Sequence, residues 1–289
     1  NLNIFKHVIL IPVYNDWKSL NKLLAQIDDC LKHNYSLDNE ILVVDDKSTE
    51  QIYVNNEKFL HIKKIKILTL KKNLGSQKCI AIGLDHLKKM KNNSIITVMD
   101  GDGEDSPYQI KKMLDEAIKH ENYVITSNRK KREESLLIRV FYKLHLIISF
   151  LFSYKWISFG NFTTFNSNNL EKILSNNNSW YAHSSSVLKN CKIKKLYAKR
   201  EKRYFDKSKL NLLSLIEHSL RVNSVFFSRI FFVSIFYLVL ILSLNHSYLS
   251  YLIVSLIIIF NILIILIKIK HYIKDLDSLQ KFIDYTKLF

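Results

Sequence analysis

Two aspartates stand one residue apart at Asp100-Gly101-Asp102, directly after the apolar run Ser94 to Met99, which reads SIITVM. Carboxylates so spaced in a turn can reach one divalent cation, and hard oxygen ligands suit Mg²⁺ or Mn²⁺. A cation held there can bridge a diphosphate and neutralise it as it departs. A D-x-D string alone carries little weight, because such strings are common in loops. Its place at the end of an apolar run raises that weight. So do two other polar run ends upstream: Tyr14-Asn15-Asp16 after His7 to Pro12 (HVILIP), and Asp45-Asp46 after Ile41 to Val44.

The elements that must bring these residues together follow from periodicity. His7 to Pro12, Ile41 to Val44, Ile65 to Leu70, Ser94 to Met99 and Tyr123 to Thr126 are short apolar runs of the kind a strand buried on both faces requires. Leu20, Leu23, Leu24, Ile27 and Leu31 carry helical spacing, as do Ser76 to Met90 and Tyr108 to His120. The order strand, helix, strand, strand, helix, strand, helix, strand predicts an α/β fold with a mainly parallel sheet and helices on both faces. Ligands of such sheets sit at the carboxyl ends of the strands, where all three polar run ends fall.

After Ser127 the pattern changes. Leu136 to Tyr154 is apolar and aromatic but carries Arg139, Lys143 and His145. It reads either as a buried core helix or as an amphipathic helix at a membrane surface. Val225 to Ile267 is almost wholly apolar, with Arg229 its single charge, and Asn245-His246-Ser247 divides it. Tyr248 to Ile267 approaches the ~20 residues that cross a bilayer. Phe227 to Leu244 is slightly short, with Arg229 placed to snorkel. Arg221 and Arg229 flank one side, Lys268, Lys270 and Lys274 the other, and the turn between has no Lys or Arg. The positive-inside rule then puts both ends in the cytosol. The expected domains are 1–220 (catalytic, including interfacial helices at about 136–154), 225–267 (a transmembrane hairpin) and 268–289 (a cytosolic amphipathic tail, read as a surface helix).

The 289 residues carry a net charge of +17, which suits an anionic partner such as phospholipid head groups or a phosphorylated substrate. No zinc-ligand spacing, basic zipper or RNP-like motif supports a nucleic-acid partner. Cys30, Cys79 and Cys191 are odd in number and widely spaced, which argues against a disulfide framework and fits a reducing compartment. The first residues run into a strand-like segment and lack the shape of a signal peptide.

Four segments carry a resemblance. VILIPVYND (Val8 to Asp16), ILVVDDKST (Ile41 to Thr49), NLGSQKCIAIGL (Asn73 to Leu84) and VMDGDGEDSP (Val98 to Pro107) resemble, in order and spacing, the motifs of family 2 glycosyltransferases with the GT-A fold. FGNFTTF (Phe159 to Phe165), KRYFDKSKLN (Lys202 to Asn211) and the apolar hairpin are similar to the polyprenyl-phosphate-sugar synthase branch. The resemblance implies a metal-dependent, inverting glycosyltransferase using a nucleotide diphosphate sugar, UDP-sugar favoured and GDP-sugar the alternative. Pro12, Tyr14 and Asp16 would line the nucleotide pocket. Asp45 or Asp46 would hydrogen-bond the base, with Lys47 where relatives have Gly. Asn73, Gly75 and Lys78 would lie near ribose or diphosphate. Asp100 and Asp102 would bind Mg²⁺ or Mn²⁺, with Glu104 assisting the metal or phosphate.

The segment Phe159 to Phe165 departs from that branch, which often has an acid and an Arg where this chain has Asn161 and Thr163. An acid matters where a sugar hydroxyl must lose its proton. It matters less for a lipid phosphate, which is already anionic and needs only positioning and screening. Arg129, Arg132, Arg139, Arg200 and Arg203 are candidate phosphate clamps. Should a base be required, Asp105 and Glu104 are the nearest acids, and His183 a more distant candidate. The expected acceptor is polyprenyl phosphate or another membrane-borne molecule. The alternatives are a glycan or protein hydroxyl, and an inactive membrane scaffold of the same fold. A homo-oligomer is compatible with all three. The string Q-x-x-R-W is absent, which counts against a processive polysaccharide synthase.

Overall fold

The computed structural model describes residues 5–32, 37–55, 59–90, 94–129, 136–198, 201–205, 212–244, 247–273 and 279–289. The elements are β1 (Phe5–Val13), α1 (Trp17–Leu31), β2 (Leu37–Asp45), β3 (Ile62–Leu70), α2 (Ser76–Lys89), β4 (Ser94–Val98), α3 (Ile110–Lys119) and β5 (Tyr123–Arg129). After them come α4 (Leu136–Ser153), β6 (Phe159–Asn166), α5 (Leu170–Leu174), α6 (Asn178–Tyr181), α7 (His183–Asn190), β7 (Lys192–Ala198), α8 (Leu212–Ser224), α9 (Phe227–Leu244), α10 (Tyr248–Lys270) and β8 (Ile283–Leu288). The five apolar runs each became a strand, and the three helical spacings became α1, α2 and α3.

One sheet holds all eight strands in the order β7-β5-β6-β4-β1-β2-β3-β8. Strands β4, β1, β2 and β3 are parallel neighbours, so their carboxyl ends share a rim. Val8 to Ile11 in β1 are buried on both faces of the sheet, as a central parallel strand must be. Leu20, Leu23, Leu24 and Ile27 of α1 are fully buried in one core cluster with Ile9, Ile11, Val43 and Ile67. Gly83 lets α2 approach β1 and β2 closely, since a Cβ there would overlap the side chain of Leu10.

Strand β6 runs antiparallel to both β4 and β5, β7 is parallel to β5, and β8 is antiparallel to β3. The tail was expected to be a surface helix, and residues 283–288 are a strand instead. The reason lies in burial: β8 and β7 are the two sheet edges, both largely exposed or half-exposed. An edge strand needs no continuous apolar run, and Lys on it discourages further pairing.

The described chain falls into two units: Asn1–Arg132 with Phe159–Ser208 and Asp275–Phe289, and Glu133–Ser158 with Lys209–Lys274. In this division α4 and α8 group with the apolar helices, and the last strand groups with the sheet. In the helical unit, α9 and α10 are long and apolar enough to cross a membrane, at 18 and 23 residues, and only 17% of each window is buried. At 1.5 Å per residue these lengths are about 27 and 34 Å, close to the ~30 Å hydrocarbon core. Asn261 donates to Ser234 at 2.8 Å, joining the two helices. Arg229 donates to the Ser153 carbonyl at 2.9 Å, closing the C-terminus of α4. Along α4, Leu146, Ser149, Phe152 and Ser153 are buried while Val140, Phe141, Leu144, Ile147 and Phe150 are exposed.

Two imidazoles are sealed in the sheet unit. His7 Nδ1 and Nε2 lie 2.9 Å from Asn39 Oδ1 and Thr97 Oγ1, and burial lowers its pKa to about 4. Burial alone lowers His183 to about 3. Both stay neutral when folded but protonate near 6.5 when unfolded. Stability is therefore complete above about pH 6.5 and falls as pH drops towards the folded values, by about 1.4 kcal/mol per pH unit per imidazole. Denaturant midpoints of Trp fluorescence should fall between pH 6.5 and 5, and His7→Gln should flatten the slope. An unchanged midpoint across that range would contradict the assignment.

Candidate active site

The three polar strand ends meet at one rim. The Asp46 N–H donates to the Val13 carbonyl at 2.8 Å, and the Met99 N–H to the Leu10 carbonyl at 3.1 Å, so the ends of β1, β2 and β4 stay in register past their last ladder bonds. Pro12 is buried at the end of β1 and Tyr14 is exposed beyond it. Asn15 takes a left-handed conformation (φ 46°), donates from Nδ2 to Thr49 Oγ1 at 2.9 Å, and accepts the Thr49 N–H at 2.8 Å. The loops after β1 and β2 are thereby tied together.

Asp45 and Asp46 are both buried, and both hold backbone. Asp45 Oδ1 accepts the Ser48 N–H at 3.0 Å. Asp46 accepts the Leu74 N–H at 2.6 Å and the Gly75 N–H at 2.8 Å, which fixes the turn opening α2. Burial raises the Asp46 pKa, opposed by those two backbone donors. Lys47 stands where Gly was expected, and φ is +60° there, a region that costs most residues about 1–2 kcal/mol. Its ammonium reaches Asp284 on β8 at 3.2 Å. Asn73 is exposed beside Gly75, itself at φ 91°, and the Lys78 ammonium lies 4.9 Å from the Trp180 ring centroid.

The turn after β4 is knitted from its own carboxylates. Asp105 accepts the Asp100 N–H at 3.0 Å, and Asp102 Oδ1 accepts the Glu104 N–H at 3.0 Å. Residues 201–205 cross over this turn. Glu201 donates its N–H to the Glu104 carbonyl at 3.0 Å, and Tyr204 its N–H to the Asp102 carbonyl at 3.1 Å. The Arg203 guanidinium spans two strand ends, 3.2 Å from Asp16 and 3.4 Å from Asp102. Tyr204 bonds Gln26 on α1, and the Lys22 ammonium stands 4.7 Å from the Tyr204 ring centroid. From β6, Asn161 Nδ2 donates to Asp100 Oδ1 at 2.9 Å.

Among the described residues no three His, Cys, Asp or Glu side chains converge on one point. Two carboxylates on one turn still fit Mg²⁺ or Mn²⁺ chemically, since such ions take one or two carboxylates and fill the remaining positions with phosphate oxygens and water. Arg203 was expected as a phosphate clamp and does reach this rim. Arg129 ends β5, Arg139 is exposed on α4, and Arg132 and Arg200 lie outside the described residues. His183 is fully buried, 2.8 Å from Thr163 Oγ1, and is a packed histidine rather than a base facing the rim. Gln77, Tyr204 and Gln26 escaped the sequence reading. The available signal for Gln77 was a polar residue on the buried face of α2.

A parallel sheet with carboxylates along one rim, interrupted by an antiparallel strand beside β4, defines a GT-A-type α/β fold. Solved structures agree: glucosyl-3-phosphoglycerate synthase from Mycobacterium tuberculosis with Mn²⁺, uridine diphosphate and phosphoglyceric acid aligns at a TM-score of 0.53 and 12% identity, covering 78% of each chain. S. aureus TarS with UDP-GlcNAc aligns at 0.50 and 16% identity, covering 77% of this chain and 66% of the other. Residues 8–195 match the Glycosyl transferase family 2 model, and the chain belongs to that family. A dodecaprenyl-phosphate galacturonate synthase of Rhizobium johnstonii is 26% identical over 133 residues, 45% of this chain and 38% of the relative. A dolichol-phosphate mannosyltransferase of Pyrococcus furiosus is 28% identical over 121 residues, 42% of this chain and 32% of the relative. The matched regions thus span well under half of either relative's length.

Gly103 has φ +85°, and a Cβ there would overlap the Tyr204 ring. Gly103→Ala should lift residues 201–205 off the turn and cost about 2 kcal/mol. Faster tryptic cleavage after Lys202 and Arg203 is the expected readout, and wild-type cleavage would contradict it.

Proposed function

We propose that this chain transfers a sugar from a nucleotide diphosphate sugar to a membrane-borne lipid acceptor, most simply a polyprenyl phosphate, with inversion. The observation that carries the reading is one sheet rim on which Arg203 bridges Asp16 and Asp102 while Asn161 holds Asp100. Asp100 and Asp102 would hold Mg²⁺ or Mn²⁺, which when bound screens the diphosphate charge. Pro12, Tyr14, Asp16 and the Asp45-Asp46 loop would line the nucleotide pocket, with UDP favoured because the solved structural relatives bind uridine nucleotides. Arg203, released from its carboxylate partners by a ligand, would pair with phosphate instead.

The acceptor assignment draws on the two relatives named for polyprenyl and dolichol phosphates. It also fits the residue facing Asp100: Asn161 offers an amide, which takes no proton, and an ionised phosphate acceptor has none to lose. The α9–α10 pair would hold the enzyme where such an acceptor lies. Its basic flanks would put both ends on the cytosolic side by the positive-inside rule. Anionic head groups would add about 1 kcal/mol for each well-placed Lys or Arg.

Membranes carrying the chain, incubated with labelled UDP-sugars and extracted with organic solvent, should yield label in a mild-acid-labile lipid fraction. Asp102→Ala should lower that incorporation by at least about 100-fold while membrane association persists. Label confined to polymer or protein would transfer the reading to a hydroxyl acceptor. Undiminished turnover in the variant would remove Asp102 from the mechanism.

A further inference from the structure

Three hydrogen bonds run in line from the protein interior to Asp100. The His183 backbone N–H donates to Gln77 Oε1 at 2.8 Å. Gln77 Nε2 donates to Asn161 Oδ1 at 3.0 Å. Asn161 Nδ2 donates to Asp100 Oδ1 at 2.9 Å. Gln77 is 4% exposed and His183 0%, so water does not substitute for the inner links.

The direction of this line is determined. A backbone N–H can only donate, whereas a carboxamide can be turned to present either its oxygen or its NH₂. The His183 N–H therefore selects the orientation of Gln77. Gln77 so oriented presents NH₂ to Asn161 and selects the orientation of Asn161 in turn. The outcome is a donor, not an acceptor, facing Asp100. A second path anchors the same residues: the Thr163 hydroxyl donates to the Asn161 carbonyl at 3.2 Å and accepts from His183 Nε2 at 2.8 Å. Burial holds His183 neutral, and with the single Thr163 hydroxyl proton committed to Asn161, the Nε2–H tautomer is the one that satisfies this contact.

We propose that Asn161 is a positioning residue for Asp100, and that Gln77 sets its polarity from the His183 backbone. The inference rests on the reading of Asp100 as a cation ligand. A donor on one carboxylate oxygen fixes the rotation of the carboxylate before any ion arrives. Outer-shell partners of this kind contribute about 10–100-fold to metal affinity. The same geometry makes residue 161 a holder of the ligand rather than a proton acceptor.

The Gln77→Glu variant tests the direction of the line. A carboxylate at 77 accepts but cannot donate, so it draws the Asn161 NH₂ towards itself and leaves Asn161 Oδ1 against Asp100. The Gln77→Met variant removes the link with a side chain of similar length and without a buried charge. The measurement is the Mn²⁺ concentration giving half-maximal thermal stabilisation of the purified full chain at saturating UDP, alongside the Mn²⁺ dependence of turnover. Gln77→Glu, Gln77→Met and Asn161→Ala should each raise that concentration about 10–100-fold. Combined with Asn161→Ala, either Gln77 variant should add nothing, because both act through one bond. Additive effects, or wild-type Mn²⁺ dependence in folded Gln77→Met, would overturn the relay. Asp100→Ala separates the two readings. If that variant keeps the wild-type Mn²⁺ response, or the wild-type chain shows none, the cation site itself is wrong. If Asp100→Ala alone loses the response, only the relay fails.

Discussion

Negative charge crowded onto one rim is the constraint that the catalytic unit is built around. Asp16, Asp45, Asp46, Asp100 and Asp102 end or follow three adjacent parallel strands. Carboxylates this close destabilise one another unless each is given donors. The chain supplies them by three routes. Backbone N–H groups of the following loops take Asp45, Asp46 and one oxygen of Asp102. One guanidinium takes Asp16 and the other oxygen of Asp102. An amide takes Asp100. The first route shapes the loops, and the other two oppose the charge a phosphate-bound cation would otherwise meet.

This division explains the odd conformations nearby. Lys47 and Asn15 are left-handed because the loops must turn back sharply to aim N–H groups at the strand ends. Gly103 is also left-handed, and separately Tyr204 lies where a side chain at 103 would be. Arg203 reaches two carboxylates because Tyr204 beside it is fastened to Asp102 by backbone and to Gln26 by its hydroxyl.

The half of the fold carried by buried parallel strands was legible, because burial on both faces forces an apolar run that stands out in sequence. β1, β2, β3 and β4 appeared this way, and with them the rim. β6 was visible only as a motif. β7 and β8 were invisible, because an edge strand such as Lys192–Ala198 is free to be polar. At the site, Asp100 and Asp102 were identifiable from their place after a strand. Gln77 and Tyr204 were not, since their partners lie 84 and 178 residues away in sequence and no local spacing encodes such a meeting.

Strand β8 follows α9 and α10 in sequence yet bonds to β3, which precedes them. A sheet cannot straddle a lipid bilayer. Were α9 and α10 to traverse a bilayer, the pairing of β8 with β3 would require the chain to return to the compartment it left, in an even number of traverses. A constraint on any membrane topology is thus carried by a ladder of ordinary backbone hydrogen bonds.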